Sequence, residues 1–315
     1  MSNIQWTNLT CNPIHLVKPD GRHGGHWCRK VSPGCARCYS ETQNQSNYFK
    51  FASHLSYSGS APDNLIFDEK VMQELIKMRS PKKVFLCSMT DLFGEWVLDE
   101  WIDQIWAYMA IASHHTFQIL TKRPERMREY FSNPIRGELI RNRALYLLGN
   151  KSDPIKTRFK NINFTLKLPL SNCWLGVSVE NQKAADDRIP SLLQTPAAIR
   201  FLSCEPLLGR IDLRKYLGIC VGCQSCDFQG GHRIGKSMLN WAIIGGESGS
   251  DARACETNWI KSIVYQCQKA ETAVFVKQLG SNPVNSAHLK FKTNDRKGGN
   301  IDDFPPELRV RQFPE

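Results

Sequence analysis

Short apolar runs that end in polar residues recur along the chain. Their hydrophobicity is nearly continuous rather than alternating, which is typical of strands buried on both faces of a parallel sheet. A further strand is expected within residues 6–17, near the start of the chain. The six clear runs are residues 84–89, 117–121, 174–180, 199–205, 241–247 and 273–278.

Segments with helical spacing lie between these runs. Residues 97–113 place several apolar side chains on one face, and residues 124–131 begin with a proline at a first-turn position. Thr257 can cap a third helix, and a fourth is expected through residues 39–49. Strands that alternate with helices, in a sheet of parallel strands, predict an α/β fold.

Polar side chains gather where the predicted strands end. In α/β folds ligands bind at the carboxyl ends of the strands, and in barrels several strands contribute to one site. The repetition favours a partial barrel, although any strand must also end in solvated residues. We therefore predict cofactor-binding roles for a set of strand-end residues: Ser88, Asp91, Lys122, Ser178, Glu180, Glu205 and Glu247. Arg123 or Lys277 could meet a carboxylate or a phosphate.

Two spacings between strands are too long for simple βα units, so they indicate insertions. Residues 133–172 contain eight Lys and Arg against two acidic residues, a net charge of +6. Residues 214–240 are rich in Gly and Cys. The prediction is therefore one domain over residues 1–281 with these two insertions, followed by a polar, loosely packed C-terminal tail over residues 282–315.

The composition narrows the classes of protein. No apolar run among the 315 residues is long enough to span a bilayer, and the first residues lack the layout of a signal peptide. We therefore expect a cytoplasmic protein without a membrane partner. The net charge of +11 favours an anionic partner such as nucleic acid. Twelve cysteines in a cytoplasmic chain point to metal or cluster ligation rather than disulfides.

The strongest motif is a loop with three cysteines, Cys28, Cys35 and Cys38, with a turn at residues 33–34. Thiolates suit both zinc and iron–sulfur clusters. A [4Fe–4S] cluster held by three cysteines keeps one iron open for a small ligand. A structural zinc ion would instead need a fourth protein ligand. The chain offers His23, His26 or Cys11 for that position.

A second cysteine group lies in the later insertion and comprises Cys220, Cys223, Cys226 and His232. A Cys₃His zinc site would fold an insertion that has little core of its own. A second iron–sulfur cluster would serve electron transfer or substrate binding. The third alternative is that the cysteines are free thiols in a loop. Among the three, we favour the zinc site.

Together with seven other stretches, the first cysteine loop resembles the phage-associated three-Cys-motif family of radical-SAM-like proteins, which occurs in phages and prophages. The resemblance runs over about residues 4–280, apart from the two insertions. It implies a partial (βα) barrel of radical SAM type, a [4Fe–4S] cluster and S-adenosylmethionine (SAM). The similar stretches are residues 6–13, 88–93, 120–125, 175–181, 200–208, 245–249 and 275–278.

The chain departs from the broader radical SAM pattern in three ways. The spacing is Cys-x6-Cys-x2-Cys instead of Cys-x3-Cys-x2-Cys, and Arg37 occupies a position that is commonly aromatic. The Gly-Gly-Glu expected after the second barrel strand is absent there. A Gly-Gly-Glu occurs only at residues 245–247, after a later strand.

These features combine into a functional hypothesis. A radical SAM enzyme cleaves SAM with an electron, supplied by a donor, and the resulting radical abstracts hydrogen from a substrate. Basic and aromatic residues in 133–172 favour DNA or RNA as the partner, and therefore nucleic-acid or nucleotide modification. One alternative is a catalytically silent, metal-stabilised nucleic-acid-binding protein. Another is a radical SAM enzyme that acts on a partner protein or a metabolite.

Overall fold

The computed structural model describes residues 4–46, 53–149, 165–221 and 233–315. Each predicted apolar run lies on a strand. The strands are β1 (Leu9–Cys11), β2 (Ile14–Leu16), β3 (Leu65–Phe67), β4 (Lys83–Leu86), β5 (Thr116–Thr121), β6 (Cys173–Ser178), β7 (Ile199–Cys204), β8 (Trp241–Gly245), β9 (Cys255–Glu256), β10 (Ala273–Gln278) and β11 (Pro283–Val284).

The helices confirm the helical patterns read from the sequence, with shifts of a few residues at some ends. They are α1 (Tyr39–Gln45), α2 (Glu69–Lys77), α3 (Asp99–Ile111), α4 (Pro124–Ser132), α5 (Arg136–Gly149), α6 (Gln182–Gln194) and α7 (Thr257–Lys269). Pro124 opens α4 as predicted, because the missing N–H of proline costs nothing in a first turn. Within the described ranges, no helix combines the length and the apolar character needed to cross a membrane.

Seven strands form the main sheet in the order β1-β4-β5-β6-β7-β8-β10. Strand β4 pairs with β1 and β5 in parallel, and β8 pairs with β7 and β10 in parallel. Helices lie between most successive strands of this sheet, so the predicted α/β class with parallel strands is confirmed. Two short pairs stand apart from this sheet: β2 with β3, which is antiparallel, and β9 with β11, which is parallel.

The chain divides into two compact units, where the sequence predicted one domain over 1–281. Unit 1 comprises Met1–Leu175 and Gln194–Ala198. Its strands bury Val84, Leu86 and Phe117 completely, and helix α3 buries several apolar side chains. The continuous apolar runs reflect this burial on both faces of the sheet.

Unit 2 comprises Gly176–Leu193 and Ile199–Glu315. Phe201, Trp241 and Phe275 lie fully buried on β7, β8 and β10. Gly176 allows this packing, because a Cβ there would lie 2.6 Å from the Phe201 ring.

The prediction of a loosely packed tail over 282–315 is wrong. Phe304 and Leu308 are buried in unit 2. The Val276 N–H donates to the Val310 carbonyl at 2.9 Å, and the Gln312 N–H donates to the Val274 carbonyl at 2.9 Å. The segment therefore covers the edge of β10. Its few apolar residues lack any periodic spacing, so the sequence pattern did not reveal the contact.

Candidate functional site

The three cysteines of the first loop follow one another through distinct backbone shapes. Cys28 lies in a stretch without regular secondary structure, Cys35 ends a short 3₁₀ turn that begins at Pro33, and Cys38 is the N-cap residue of α1. All three are free thiols of intermediate exposure. Eleven residues therefore present three thiol groups that are neither locked in the core nor fully solvated.

Side chains from the carboxyl ends of β4 and β5 hold the residues around Cys28. The Thr90 hydroxyl donates to the Trp27 carbonyl at 2.7 Å. The Arg123 guanidinium donates through Nη2 to the Arg29 carbonyl at 3.0 Å. Both residues beside Cys28 are thus tied to the ends of these strands.

The other end of the loop is attached to the same segment. The Tyr39 hydroxyl donates to the Ser88 carbonyl, and the Ser40 hydroxyl donates to the Met89 carbonyl at 2.8 Å. Tyr57, which the sequence reasoning did not single out, also donates to the Met89 carbonyl, at 3.2 Å. The segment that follows β4, residues 88–91, therefore supports the cysteine loop at both ends, and we call it the platform.

Asp91 makes the largest number of the contacts described for this platform. Its carboxylate is almost fully buried and accepts from the Thr121 hydroxyl at 2.7 Å and from the Lys122 N–H at 2.9 Å. It also accepts from the Phe93 N–H at 3.0 Å and pairs with Arg123 at 3.2 Å. These donors satisfy the buried charge and fix the backbone after β5.

Arg123 links the platform to the loop, because Nε, Nη1 and Nη2 of its guanidinium each donate a hydrogen bond. Besides Asp91 and the Arg29 carbonyl, it donates through Nε to Glu95 at 3.0 Å. The guanidinium carbon lies 4.6 Å from the centre of the Trp96 ring, a cation–π contact. Glu95 and Trp96 were missed by the sequence reasoning, because they lie in a loop without a recognisable motif.

Burial and nearby charge act in opposite directions on the thiols. The pKa of Cys28 is raised to about 12, mainly by burial and also by the Asp91 carboxylate, while the Arg123 guanidinium acts in the opposite direction. Burial also raises the pKa of Cys38, while the backbone N–H groups at the start of α1 and the Lys122 ammonium lower it. Cys28 and Cys38 thus carry protons at neutral pH. A metal would displace them, helped by the cations.

An iron–sulfur cluster binds soft thiolate donors, and its negative charge is balanced by cations nearby. Three free thiols with two cationic side chains beside them are a suitable donor set for an anionic cluster. Among the residues that the structure describes, no three His, Cys, Asp or Glu side chains are already gathered as a metal site. The donor chemistry therefore fits, and the loop would have to draw its thiols together on binding.

The residues considered as a fourth zinc ligand are engaged elsewhere in unit 1. Cys11 is buried, with its sulfur 3.8 Å from that of Met72. His26 Nδ1 lies 3.0 Å from the Ile14 carbonyl oxygen, and the His23 ring stacks on that of His15 at 4.0 Å. Burial and the contact with Met72 argue against Cys11 as a fourth ligand, whereas a hydrogen bond at Nδ1 leaves Nε2 of His26 able to bind a metal. The choice between a three-thiol site and a four-ligand zinc site therefore stays a prediction.

In unit 2, the strand-end carboxylates are paired with cations. Glu205 accepts from Lys277 at 2.5 Å. Glu180 is buried and accepts from Arg188 at 2.8 Å. The third pair joins Glu247 to Arg253, at 2.5 Å. Ser178 and Ser203, which precede Glu180 and Glu205 by two residues in the sequence, are also buried.

The Gly-Gly-Glu at residues 245–247 has a local packing reason. A Cβ on Gly245 would lie 3.2 Å from the Glu205 carboxylate, and one on Gly246 would lie 2.2 Å from the Leu279 carbonyl oxygen. Glycine therefore allows the ends of β8 and β10 to approach closely.

In the basic insertion over residues 133–172, some of the cations that were expected to face a polyanion are bound to other side chains of unit 1. Arg136 pairs with Asp99 at 2.7 Å and with Asp103 at 3.0 Å, and is buried. Arg143 donates to Gln104 at 2.7 Å. These two arginines therefore stabilise unit 1 rather than facing a polyanion. Arg141 and Lys167 are exposed, whereas Lys151, Lys156, Arg158 and Lys160 lie outside the described residues.

The second cysteine group is described only at its first member. Cys220 has intermediate exposure and follows Ile219, which forms a β-bridge with Arg233. Cys223, Cys226 and His232 lie outside the described residues. Zinc or a second cluster at this group stays a prediction.

Fold and site together define an α/β protein with parallel strands that carries a three-cysteine loop on the carboxyl ends of β4 and β5. The chain belongs to the family described as "Protein of unknown function (DUF5131)", whose model matches residues 1–305. No curated protein and no solved structure matches the chain.

Proposed function

We propose that this protein is a radical SAM enzyme with a partial barrel of the radical SAM type, in which Cys28, Cys35 and Cys38 hold a [4Fe–4S] cluster. The observation that carries the proposal is the attachment of a loop with three free thiols to the carboxyl ends of two parallel strands. Ligands in α/β folds bind at that end of the sheet.

When bound, the cluster supplies an open iron for SAM and the electron that cleaves it into methionine and a 5′-deoxyadenosyl radical. The chain supplies the setting for this chemistry. Arg123 holds the residue after Cys28, and its positive charge favours a thiolate there. The ammonium of Lys122 lies near Cys38, has no hydrogen bond or ion pair within the described residues, and can bind the carboxylate of SAM.

We propose a nucleic acid or a nucleotide as the substrate. The net charge of +11 supports an anionic partner. A separate reductant must deliver the electron, because each cleavage of SAM consumes one. A modified base in a duplex would first have to leave its stack.

The test is the release of 5′-deoxyadenosine after anaerobic reconstitution with iron and sulfide, with SAM and dithionite added. We expect the wild-type protein to release 5′-deoxyadenosine, and Cys28→Ala, Cys35→Ala and Cys38→Ala to abolish the product, because each removes one of only three ligands. Cys255→Ala is the matched control, since Cys255 is a free thiol buried in unit 2.

The control should retain both iron content and product. A cluster-loaded wild-type protein that never consumes SAM would contradict the proposal and leave a metal-stabilised binding protein. Loss of product in Cys255→Ala together with retained folding would also contradict the assignment of the ligands.

A further inference from the structure

We propose that unit 2 carries a binding surface for the phosphate backbone of a nucleic-acid strand. The surface, which we name the C-terminal basic surface, consists of Lys290, Lys292, Arg296 and Lys297. The choice of nucleic acid rests on the proposed function, whereas the surface itself rests on the contacts below.

All four side chains are exposed. Within the described ranges, no hydrogen bond or ion pair engages any of their charged groups. This differs from Arg136 and Arg143 in the basic insertion, whose guanidinium groups are bound to acidic or amide side chains. Free cations can form ion pairs with phosphates without first losing a protein partner.

Lys290 and Lys292 flank Phe291 in a segment that is hydrogen-bonded to β11. The Phe291 N–H donates to the Pro283 carbonyl at 2.8 Å, and Lys290 forms a bridge with Val284. Phe291 is half-buried, while its two neighbours are exposed. Two cations are thus displayed to solvent on either side of a half-buried residue, from a segment anchored by backbone contacts.

The turn that carries Arg296 and Lys297 is held firmly. The Asp295 carboxylate accepts from the Lys297 N–H at 3.2 Å and from the Gly299 N–H at 2.6 Å. Gly298, at φ +60°, packs so tightly on Gly280 that a Cβ would lie 2.5 Å from the Gly280 carbonyl oxygen. The two cations are therefore displayed from a fixed backbone, which lowers the entropy lost on binding.

One serine joins this turn to the Gly-Gly-Glu loop. The Ser281 hydroxyl donates to the Arg296 carbonyl at 2.7 Å and accepts from the Gly249 N–H at 3.0 Å. The Ser281 N–H donates to the Glu247 carbonyl at 2.8 Å. The C-terminal basic surface thus lies beside the carboxyl ends of β8 and β10, where α/β proteins bind their ligands.

The chemistry of the surface favours a nucleic acid over a protein. Residues 290–297 carry four cations and one carboxylate, a net charge of +3, and that carboxylate is occupied by the turn. Protein interfaces have an apolar centre with aromatic residues, whereas surfaces for nucleic acids are dominated by cations. Phe291 is half-buried, and Leu289 is the single large apolar side chain exposed nearby.

The test compares two charge-matched variants in binding to a fluorescein-labelled single-stranded oligonucleotide, without SAM or reductant. The first replaces all four residues of the C-terminal basic surface with Ala. The second replaces four exposed cations of unit 2 that are already paired with carboxylates: Lys183, Lys215, Arg233 and Lys261. Both variants change the net charge by the same amount.

We expect the first variant to lose about a hundredfold in affinity at 0.1 M salt. The plot of log affinity against log salt should become shallower by about 3, because about 0.7 is lost per phosphate contact of a single strand. The control should stay within a few-fold of wild type. Equal losses in both variants, or no binding of the wild type at low salt, would overturn the proposal.

Two further arms separate this proposal from others. Poly-glutamate that competes as well as the oligonucleotide would show an acidic protein as the partner and overturn the assignment. Release of 5′-deoxyadenosine by the wild type is measured without nucleic acid. If no 5′-deoxyadenosine is released but the oligonucleotide binds as expected, the proposed enzyme activity is contradicted and the surface stands. If 5′-deoxyadenosine is released but the oligonucleotide does not bind, only the proposed surface is contradicted.

Discussion

At the scale of single residues, Arg123 explains how a loop with little secondary structure is fixed in place. Its guanidinium joins Asp91 and Glu95 to the backbone beside Cys28. The sequence reasoning singled out Asp91 and Arg123 because they follow strands. It did not reveal that they bind each other, since 32 residues separate them and no local pattern encodes the pair.

The Asp91→Asn variant tests these contacts. An amide removes the charge that balances Arg123 and replaces one carboxylate oxygen, an acceptor, with an NH₂ donor that faces the donor group of Thr121 or of Lys122. Breaking a buried ion pair in this way should lower the free energy of unfolding by about 3 kcal/mol. Urea denaturation followed by tryptophan fluorescence measures the change.

The matched control is Asp187→Asn, which breaks an exposed pair with Lys183. Such a pair contributes less than about 1 kcal/mol. Equal stability of the Asp91 variant and the wild type would show that the network is not needed to hold the fold. A faster alkylation of the loop thiols in the Asp91 variant alone would support its role in positioning the loop.

At the scale of elements, the strands of the main sheet were predictable because burial on both faces leaves continuous apolar runs. Their ends were harder to interpret. The strand-end carboxylates of unit 2 each bind a cation from elsewhere in the unit, for example Glu205 with Lys277. The covering of β10 by residues 310–312 was missed, because isolated bridges leave no periodic signal.

Gly246→Ala tests the close approach of β8 and β10. A Cβ at this position would lie 2.2 Å from the Leu279 carbonyl oxygen and 3.0 Å from the Gly280 Cα. Backbone atoms cannot move aside cheaply, so the free energy of unfolding should fall by about 3 kcal/mol.

Gly235→Ala is the control for this prediction, because a Cβ there meets nothing within 4 Å. It should change the stability by less than about 0.5 kcal/mol. Thermal and urea unfolding of the two variants give the comparison. If Gly246→Ala unfolds like the control, the tight contact between the strand ends is wrong.

At the scale of the whole molecule, the net charge of +11 favours an anionic partner but does not by itself locate the surface that would bind one. A count of charges in sequence placed the excess in residues 133–172. In the structure, Arg136 pairs with Asp99 and Arg143 donates to Gln104, both within unit 1. Within the described residues, the four cationic side chains of the C-terminal basic surface are exposed and make no hydrogen bond or ion pair, which is why we propose a binding surface there. Binding of DNA or RNA through residues 133–172 stays a prediction.

The division into two units was also outside the reach of sequence patterns. The boundary falls within β6, between Leu175 and Gly176, where an unbroken apolar run continues. The three-cysteine loop, by contrast, was visible from spacing alone, since three thiols in eleven residues form a distinct pattern. Its attachment to the ends of β4 and β5 required the structure.

The central claim is that three thiolates hold a cluster with one iron open to SAM. Electron paramagnetic resonance of the reduced, reconstituted protein before and after addition of SAM tests it most directly. We predict a [4Fe–4S]⁺ spectrum that changes when SAM is added, and a Cys28→Ala variant without that spectrum. A fully loaded wild-type protein whose spectrum is identical with and without SAM would contradict the account.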